Sequence, residues 1–470
     1  MDTRVERDPL GEVRVPAEAY YGAQTQRAVE NFPISGIRAP TPLVIATILI
    51  KQACARANAA LGRLDATVAD AIVKAADEIL SGELRNHFVV DVYQAGAGTS
   101  HNMNANELLA NRASEILGEP RGTYKKVHPN DHVNMGQSTN DVYPTATRLA
   151  ILIVLPYALE TATRLAQALQ QKSDEFSGVL KTGRTHLQDA VPMTLGQEFS
   201  GYADNVGQGA AVLARSADAL HELNLGATAV GTGLNAGDDF TKQSIDNLAN
   251  ATKLRVMPAR NRFRVTQSMG DVLAYSGALR RLAMEVDKVA SDLRLLSSGP
   301  RAGFAEIRLP PVQPGSSIMP GKVNPSVPEM VNQVCQQVFG CDAAILASAA
   351  AGQLELNVMM PVMAWNALQA TSILGNAMHV LTDRCVSGIT ADEARCRELL
   401  DRSTAVATAL SPYLGYAQTA EIAKLAVETG RSIADIVRER KLIPEDKLAL
   451  ILSAEEMTSP GIPGSRTTAT

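Results

Sequence analysis

Two serines, a lysine and an asparagine fall within one short run, Gly315-Ser316-Ser317-Ile318-Met319-Pro320-Gly321-Lys322-Val323-Asn324-Pro325. Glycine opens positive φ and proline removes donors, so the run is expected as a loop with exposed backbone. One cation, several hydroxyl and amide donors and free backbone N–H groups are what an anionic oxygen substrate requires. The phosphate-loop reading fails on spacing. Five residues separate Gly315 from Gly321-Lys322 where four are needed, and Val323 follows where Ser or Thr should stand. A plain mobile loop shares this composition and competes with the functional reading.

Three more segments carry polar groups at helix starts or turns. Gln94-Ala-Gly-Ala-Gly-Thr99-Ser100-His101-Asn102 is a glycine-rich turn that delivers Thr99 and Ser100 to the start of a helix. The positive dipole end there favours a carboxylate, although an ordinary Ser/Thr cap reads the same way. The stretch from His128 to Thr145 sets Ser138, Thr139 and Asn140 immediately before a helix, with Pro144 in its first turn. Alone, this is more often a cap cluster than a site. A turn at Lys181-Thr-Gly-Arg-Thr185-His186-Leu-Gln-Asp-Ala190 holds a histidine beside a threonine, a pairing more often structural than catalytic. Gly226, Gly231 and Gly233 lie close together, but without the βαβ unit that a dinucleotide fingerprint needs.

The elements that must position these groups read as helices. The 470 residues exceed what one core usually serves, so several domains are expected. Aromatic residues make up only 4% against 46% hydrophobic, which suits closely packed helices rich in Ala and Leu. Helices are expected at about 42–61, 66–80, 145–176, 195–223, 326–351 and 360–386, the first opened by Pro42 and ended by Gly62. Val265, Met269, Val272, Ser276, Leu279, Ala283, Val286, Ala290, Leu293 and Ser297 alternate four and three apart, a narrow seam over 264–298 and roughly 50 Å long. Ser326 and Glu329 stand at capping-box spacing. Residues 1–40 read as irregular, and from about 395 shorter amphipathic helices run to Pro460-Gly-Ile-Pro-Gly, expected as a mobile tail. The expectation is an all-α protein, an elongated bundle completed by other subunits.

Charge and cysteine usage narrow the function classes. A net charge of −5 with both signs dispersed argues against a nucleic-acid partner, so any anion site must be built locally. Five cysteines without a CxxC predict buried thiols in a reduced, cytoplasmic setting. The seven histidines show no zinc spacing. The start, Met1 to Asp8, lacks the apolar region of a signal peptide. The longest apolar run, Leu149 to Leu159, is too short to span a bilayer, so no membrane partner is expected.

Residue for residue, Gly315–Pro325 resembles the signature of the aspartase/fumarase superfamily of lyases. The resemblance extends through Tyr20–Arg27, Gly96–Ser100, Ser138–Asn140, Gly183–Ala190 and Gly226–Asn235, over nearly the whole chain. It implies a three-domain fold with a central long-helix bundle completed by tetramerisation. The N-terminal domain would span 1–139, the central bundle 140–394 and a small C-terminal domain 395–470. It also implies a homotetramer with shared active sites, a small dicarboxylate substrate such as L-aspartate or fumarate, and no cofactor or metal.

By the same resemblance Ser316 is the base that removes a proton next to a carboxylate. Thr99, Ser138, Thr139 and Ser317 hold the carboxylate that gains charge, and Lys322 and Asn324 hold the other. Asn140, Thr185 and His186 face the amino group, while His186 and Glu329 match residues that pair in this family to orient groups or shuttle protons. No Gly-x-Ser-x-Gly elbow surrounds Ser316, which disfavours a hydrolase. Gly98-Thr99-Ser100, Ser138-Thr139-Asn140 and Thr458-Ser-Pro-Gly-Ile lean towards the aspartases. Fumarate hydration and a substituted aspartate follow as alternatives, and a catalytically silent scaffold on the same fold is the non-enzyme reading. Gly136 stands where Ser is usual, His101 where an apolar residue is expected, and Met360 where aspartases usually carry Glu and fumarases Lys.

Overall fold

The structure is a computed structural model that describes residues 2–465. It is predominantly helical, as the low aromatic content and the long periodic segments predict. The N-terminal stretch corrects one expectation. Residues 1–40 are not irregular throughout, because β1 (Thr3–Asp8) and β2 (Gly11–Pro16) form an antiparallel hairpin and α1 (Ala23–Asn31) follows. Buried Val13 and Val15 alternate with exposed residues, a period-two signal too short to stand out beside the scattered prolines.

α2 (Thr41–Ala60) opens with proline in its first turn and packs against α3 (Ala66–Ser81), which Asp65 caps through the Thr67 and Val68 N–H groups. α3 in turn packs on α4 (Thr99–Ile116), and Ile48, Ile72, Leu108 and Leu109 are fully buried in the core these helices share. Glu107 of α4 anchors the Tyr20–Arg27 segment. Its carboxylate accepts from the backbone N–H of Gly22, Gln24 and Thr25 and from the Thr25 hydroxyl.

Five helices among the described residues are longer than α2. α5 (Thr139–Glu175) continues through Pro144 and Pro156. The hairpin of β3 (Leu180–Thr185) and β4 (Gln188–Thr194) precedes α6 (Leu195–Ser216), which tightens into a 3₁₀ turn over Ala217–His221. After α7 (Asp238–Thr252) comes a second correction. The seam is not one helix over 264–298 but α8 (Arg262–Gln267) and α9 (Gly270–Leu296). Ser268 is extended, with φ −127° and ψ 136°, and its hydroxyl accepts the Gly270 N–H, so a new helix starts there. The seam positions are buried except Ser297, which is half-buried, because the break keeps both helices in register with the core. α10 (Ser326–Ala350) and α11 (Met360–Arg384) match their expected spans closely.

The chain divides into two compact units, 1–160 with 211–283 and 335–375, and 161–210 with 284–334 and 376–470. Every division falls inside α5, α6, α9, α10 or α11. Buried polar bonds tie these helices within each unit. In the first unit Arg148 of α5 reaches Asp271 of α9 at 2.7 Å, with side chains 0% and 4% exposed. Tyr275 bonds Thr371 of α11, and Ser276 donates to Asp342 of α10. In the second unit Tyr202 of α6 donates to Asp292 of α9, and Asn332 of α10 donates to Asp287.

Two helices, α2 and α5, are long and apolar enough to cross a membrane by length and composition. The run 149–159, expected to be too short, belongs to the second of them. Buried Lys51, Gln52 and Asn58 in α2 and Arg148 in α5 find partners inside the fold, which is how core helices carry polar groups.

The C-terminal region contains α12 (Glu393–Arg402), α13 (Ala407–Leu414), α14 (Tyr416–Thr429), α15 (Ile433–Glu439), α16 (Glu445–Ile451) and α17 (Ala454–Met457) around Leu410, Ile422, Val437 and Leu448. Residues 460–465 carry hydrogen bonds to the helices before them. The Tyr413 hydroxyl donates to the Pro463 carbonyl and the Gly464 N–H to Glu456, each at 2.6 Å. The rest of the expected tail lies outside the described residues.

The Arg148–Asp271 pair yields a test. Removing one partner strands a buried charge, so Asp271→Ala lowers unfolding free energy by about 3–5 kcal/mol in urea denaturation. Adding Arg148→Met recovers part of that loss, and equal stability of single and double variants would contradict the assignment.

Candidate active site

In the first unit Thr99 and the 138–140 triplet are drawn together by their supports. Gly98 has φ +81°, and a Cβ there would lie 2.1 Å from the Tyr143 ring of α5, so only glycine lets the Thr99 turn lie on that helix. Thr99 is exposed at the first position of α4, and Asn102, one turn on, donates to the Thr139 hydroxyl at 3.0 Å. Thr139 and Asn140 belong to the first turn of α5, which starts six residues earlier than the pattern from Thr145 suggests. The cause is a reciprocal cap. Ser138 Oγ accepts the Asn140 N–H while Asp141 Oδ1 accepts the Ser138 N–H, at 3.2 and 3.0 Å. The other Asp141 oxygen accepts the N–H groups of Gly226 and Thr228 at 3.0 and 2.9 Å, which draws the glycine-rich 226–235 segment against the same turn. Burial raises the Asp141 carboxyl to about 7 against the opposing pull of these amides. Asn140 Nδ2 donates to the Ala229 carbonyl at 2.9 Å, so its amide oxygen is the atom left to face outward.

In the second unit Thr185 and His186 sit at the tip of the β3–β4 hairpin, both exposed. His186 and Leu187 form the two-residue turn with φ +56° and +59°. A turn with two positive φ values ordinarily calls for Asn-Gly, and a bulky residue held there costs about 1–3 kcal/mol. The stem holds it. Glu306, fully buried, accepts from Arg184 through both oxygens at 2.9 and 3.1 Å and pairs with Lys181 at 3.2 Å. Lys181 also donates to Glu198 at 2.7 Å.

The 315–325 segment is a loop, as its composition requires. It is closed by the Gly315 N–H to the Lys322 carbonyl and by Asn324 Nδ2 to the Gly315 carbonyl, at 2.9 and 2.8 Å. Ser316 Oγ accepts from the N–H groups of Ile318 and Met319 at 3.2 and 3.0 Å. Ser317 and Lys322 are exposed. The loop borders a cleft of about 720 Å³ whose lining includes Lys322, Asn324, Arg294, Arg308 and Asp392, with Arg308 already paired to Asp392.

The capping box at Ser326 and Glu329 is not made. Ser326 is the first helical residue rather than the residue before it, and its buried hydroxyl finds no partner. Among the described residues no hydrogen bond or ion pair joins the Glu329 carboxylate to His186.

Sequence reasoning missed the supports: Lys51, Asn102, Asp141 and Glu306. Their polarity was visible, but their burial was not. His101 has a clear account. It is fully buried between the Phe88 and Tyr143 rings, and its Nε2 lies 2.9 Å from Thr47 Oγ1. The Thr47 proton already goes to the Leu43 carbonyl, so Nε2 carries the ring proton. Met360 is likewise fully buried, where a charge would need a partner.

Burial, then the Lys51 ammonium, lowers the His101 pKa from 6.5 to about 4. The unfolded chain therefore binds a proton more readily between these values, and stability is lost as pH falls through that window. His101 alone accounts for about 3 kcal/mol of that loss. His101→Gln flattens the decline between pH 6.5 and 4 in denaturation curves, and an unchanged slope would count against it.

Comparison with known proteins identifies the family. A family model described as "Lyase" matches residues 11–340, and one described as "Fumarase C C-terminus" matches 406–459. An aspartate ammonia-lyase of a Bacillus species is 47% identical over 465 residues, 99% of each chain. A fumarate hydratase class II of Halobacterium salinarum is 50% identical over 462 residues, 98% of each. Among solved structures, a fumarate lyase:delta crystallin from Brucella melitensis bound to cobalt superposes with TM-score 0.94 at 48% identity, covering 98% of this chain and 100% of that one. A family model over more than half the chain and near-full-length relatives agree, and this protein is an enzyme of the aspartase/fumarase superfamily of lyases.

Proposed function

We propose that the enzyme deaminates L-aspartate to fumarate and ammonia, with Ser316 as the base. The observation that carries this reading is the pair of backbone N–H groups aimed at Ser316 Oγ. A free hydroxyl is a poor base. Lowering its pKa from about 13 to about 7 requires roughly 8 kcal/mol. Two hydrogen bonds to an alkoxide supply about 3–6 kcal/mol, and the positive charge of the Lys322 ammonium is assigned the remainder.

The reaction then runs through developing charge. The Ser316 alkoxide takes a proton from the carbon beside one carboxylate, and the electron pair moves onto that carboxylate to give a dianion. Thr99, Ser138, Thr139 and Ser317 stabilise it as hydroxyl donors. The pair returns to form the carbon–carbon double bond and the C–N bond breaks, with the amine leaving as ammonia. Lys322 and Asn324 hold the second carboxylate.

The leaving group is where Asn140 matters. Its amide nitrogen is occupied by the Ala229 carbonyl, so its oxygen is presented as an acceptor. An ammonium has only donors and suits that acceptor, and the family resemblance assigns Thr185 and His186 to the same amino group. Supporting the same reading, aspartate ammonia-lyases of Bacillus and Pseudomonas aeruginosa are 47% and 49% identical to this chain. The similarity to the Halobacterium salinarum fumarate hydratase favours malate dehydration as the second reading. The family resemblance supports a homotetramer whose sites draw residues from several subunits.

Fumarate formation, read by absorbance, decides between substrates. L-Malate is converted at least a hundredfold less efficiently than L-aspartate, about 2.7 kcal/mol of discrimination. Comparable conversion of malate would move the enzyme to the second reading, and silence with both would point to a substituted aspartate. Ser316→Ala abolishes turnover while dicarboxylate binding stays within about tenfold, because Lys322 and Asn324 remain. A tenth of the wild-type rate in that variant would remove Ser316 as the base.

A further inference from the structure

Beneath the 138–140 turn lies a buried cation that the proposed reaction does not use. Lys51 of α2 is 0% exposed. Its ammonium has no carboxylate at hydrogen-bond distance and instead donates to Asn134 Oδ1 at 2.8 Å and Gln137 Oε1 at 2.9 Å. Both acceptors lie in the loop that leads directly into Ser138. The network continues on the other side. Asn102 Nδ2 is shared between Asn134 Oδ1 at 3.4 Å and Thr139 Oγ1 at 3.0 Å, while Asn134 Nδ2 donates to the Gln137 carbonyl at 3.2 Å. Lys51, Asn134, Gln137, Asn102 and Thr139 thus form one connected set.

A buried ammonium shared by two neutral amides is an expensive way to support a loop. Two amide donors or an apolar contact would do so at lower cost, because the cation loses its hydration without gaining an ion pair. Burial accordingly lowers its pKa from 10.5 to about 7. The charged or titratable groups that face it are Asp141 at the start of α5, Cys54 one turn along α2, and neutral His101 on α4. None of them takes one of its hydrogen bonds. A positive charge placed under a turn of hydroxyls and amides is of use to whatever anion that turn binds.

We propose that Lys51 is a positioning residue for elimination. Through Asn134 and Gln137 it sets the Ser138–Thr139–Asn140 turn and lends it positive potential, so that the hydroxyls meet the carboxylate as its charge grows. The inference rests on the reading that this turn holds the substrate carboxylate, and the experiment separates the two. It compares Lys51→Met, Thr139→Val, their combination and Ser138→Ala for kcat, KM and Tm with L-aspartate, or with the diacid that wild type converts.

Lys51→Met removes a desolvated charge at similar volume, so Tm stays within a few degrees while kcat falls at least a hundredfold and KM changes less than fivefold. The combination with Thr139→Val is no more than threefold worse than the poorer single variant, since both act on one network. A merely structural role predicts the reverse, a lowered Tm with kcat kept in the folded fraction. Near wild-type kcat in Lys51→Met beside a crippled Ser138→Ala overturns the proposal and leaves the turn as the site. Wild-type kinetics in Ser138→Ala overturns the reading beneath it. If Lys51→Met fails to fold, Gln137→Leu removes one acceptor and leaves the lysine in place. It then lowers kcat at least tenfold, and unaltered kcat there overturns the proposal.

Discussion

The carboxylate of Asp141 is the junction on which the 138–140 turn and the 226–235 segment of the first unit depend. One oxygen takes the Ser138 N–H and completes the cap that starts α5, while the other takes the Gly226 and Thr228 N–H groups. A helix start has unsatisfied donors, and a glycine-rich turn has exposed ones. One buried acceptor meets both needs and so brings two segments far apart in sequence to one place. The Asn140–Ala229 bond follows from that approach, and with it the direction in which the Asn140 oxygen faces. An apolar residue at 141 would leave three amides without acceptors in a buried setting, each costing about 1–3 kcal/mol.

The second unit solves a related problem with a second buried carboxylate, whose partners are cations rather than backbone amides. Glu306 gathers Arg184 and Lys181, and Lys181 extends the set to Glu198. Buried ion pairs contribute little net stability compared with apolar packing. They are well suited to fixing direction, since a guanidinium held through two parallel bonds has little freedom to rotate. Arg184 directly precedes Thr185-His186, so this rigidity is delivered to a turn whose own backbone is strained. Positive φ at both His186 and Leu187 persists because the stem on either side is pinned.

The 315–325 loop works without buried charge. Its glycines and prolines rule out helix and strand, and the two bonds between its ends leave the intervening N–H groups pointing inward on Ser316. Those donors are already in place and need no reorganisation as charge develops on the oxygen, which is the physical basis of assigning it a proton-abstracting role.

Periodicity and composition alone determined the helical class, the extents of α2, α3, α10 and α11, and the buried face of α9, because apolar spacing of three and four has one good solution in water. The polar clusters at Thr99, Ser138–Asn140, Thr185-His186 and Ser316–Asn324 were legible for a similar reason, since such residues beside glycine and proline cannot serve a core. Tertiary structure alone decided the rest. The Ser268 break and the unmade Ser326–Glu329 box turn on single hydrogen bonds, which a pattern of residue types does not specify. The N-terminal hairpin was hidden because its alternation spans too few residues. Only burial identifies Lys51, Asp141 and Glu306 as supports, and burial is set by the packing of elements distant in sequence.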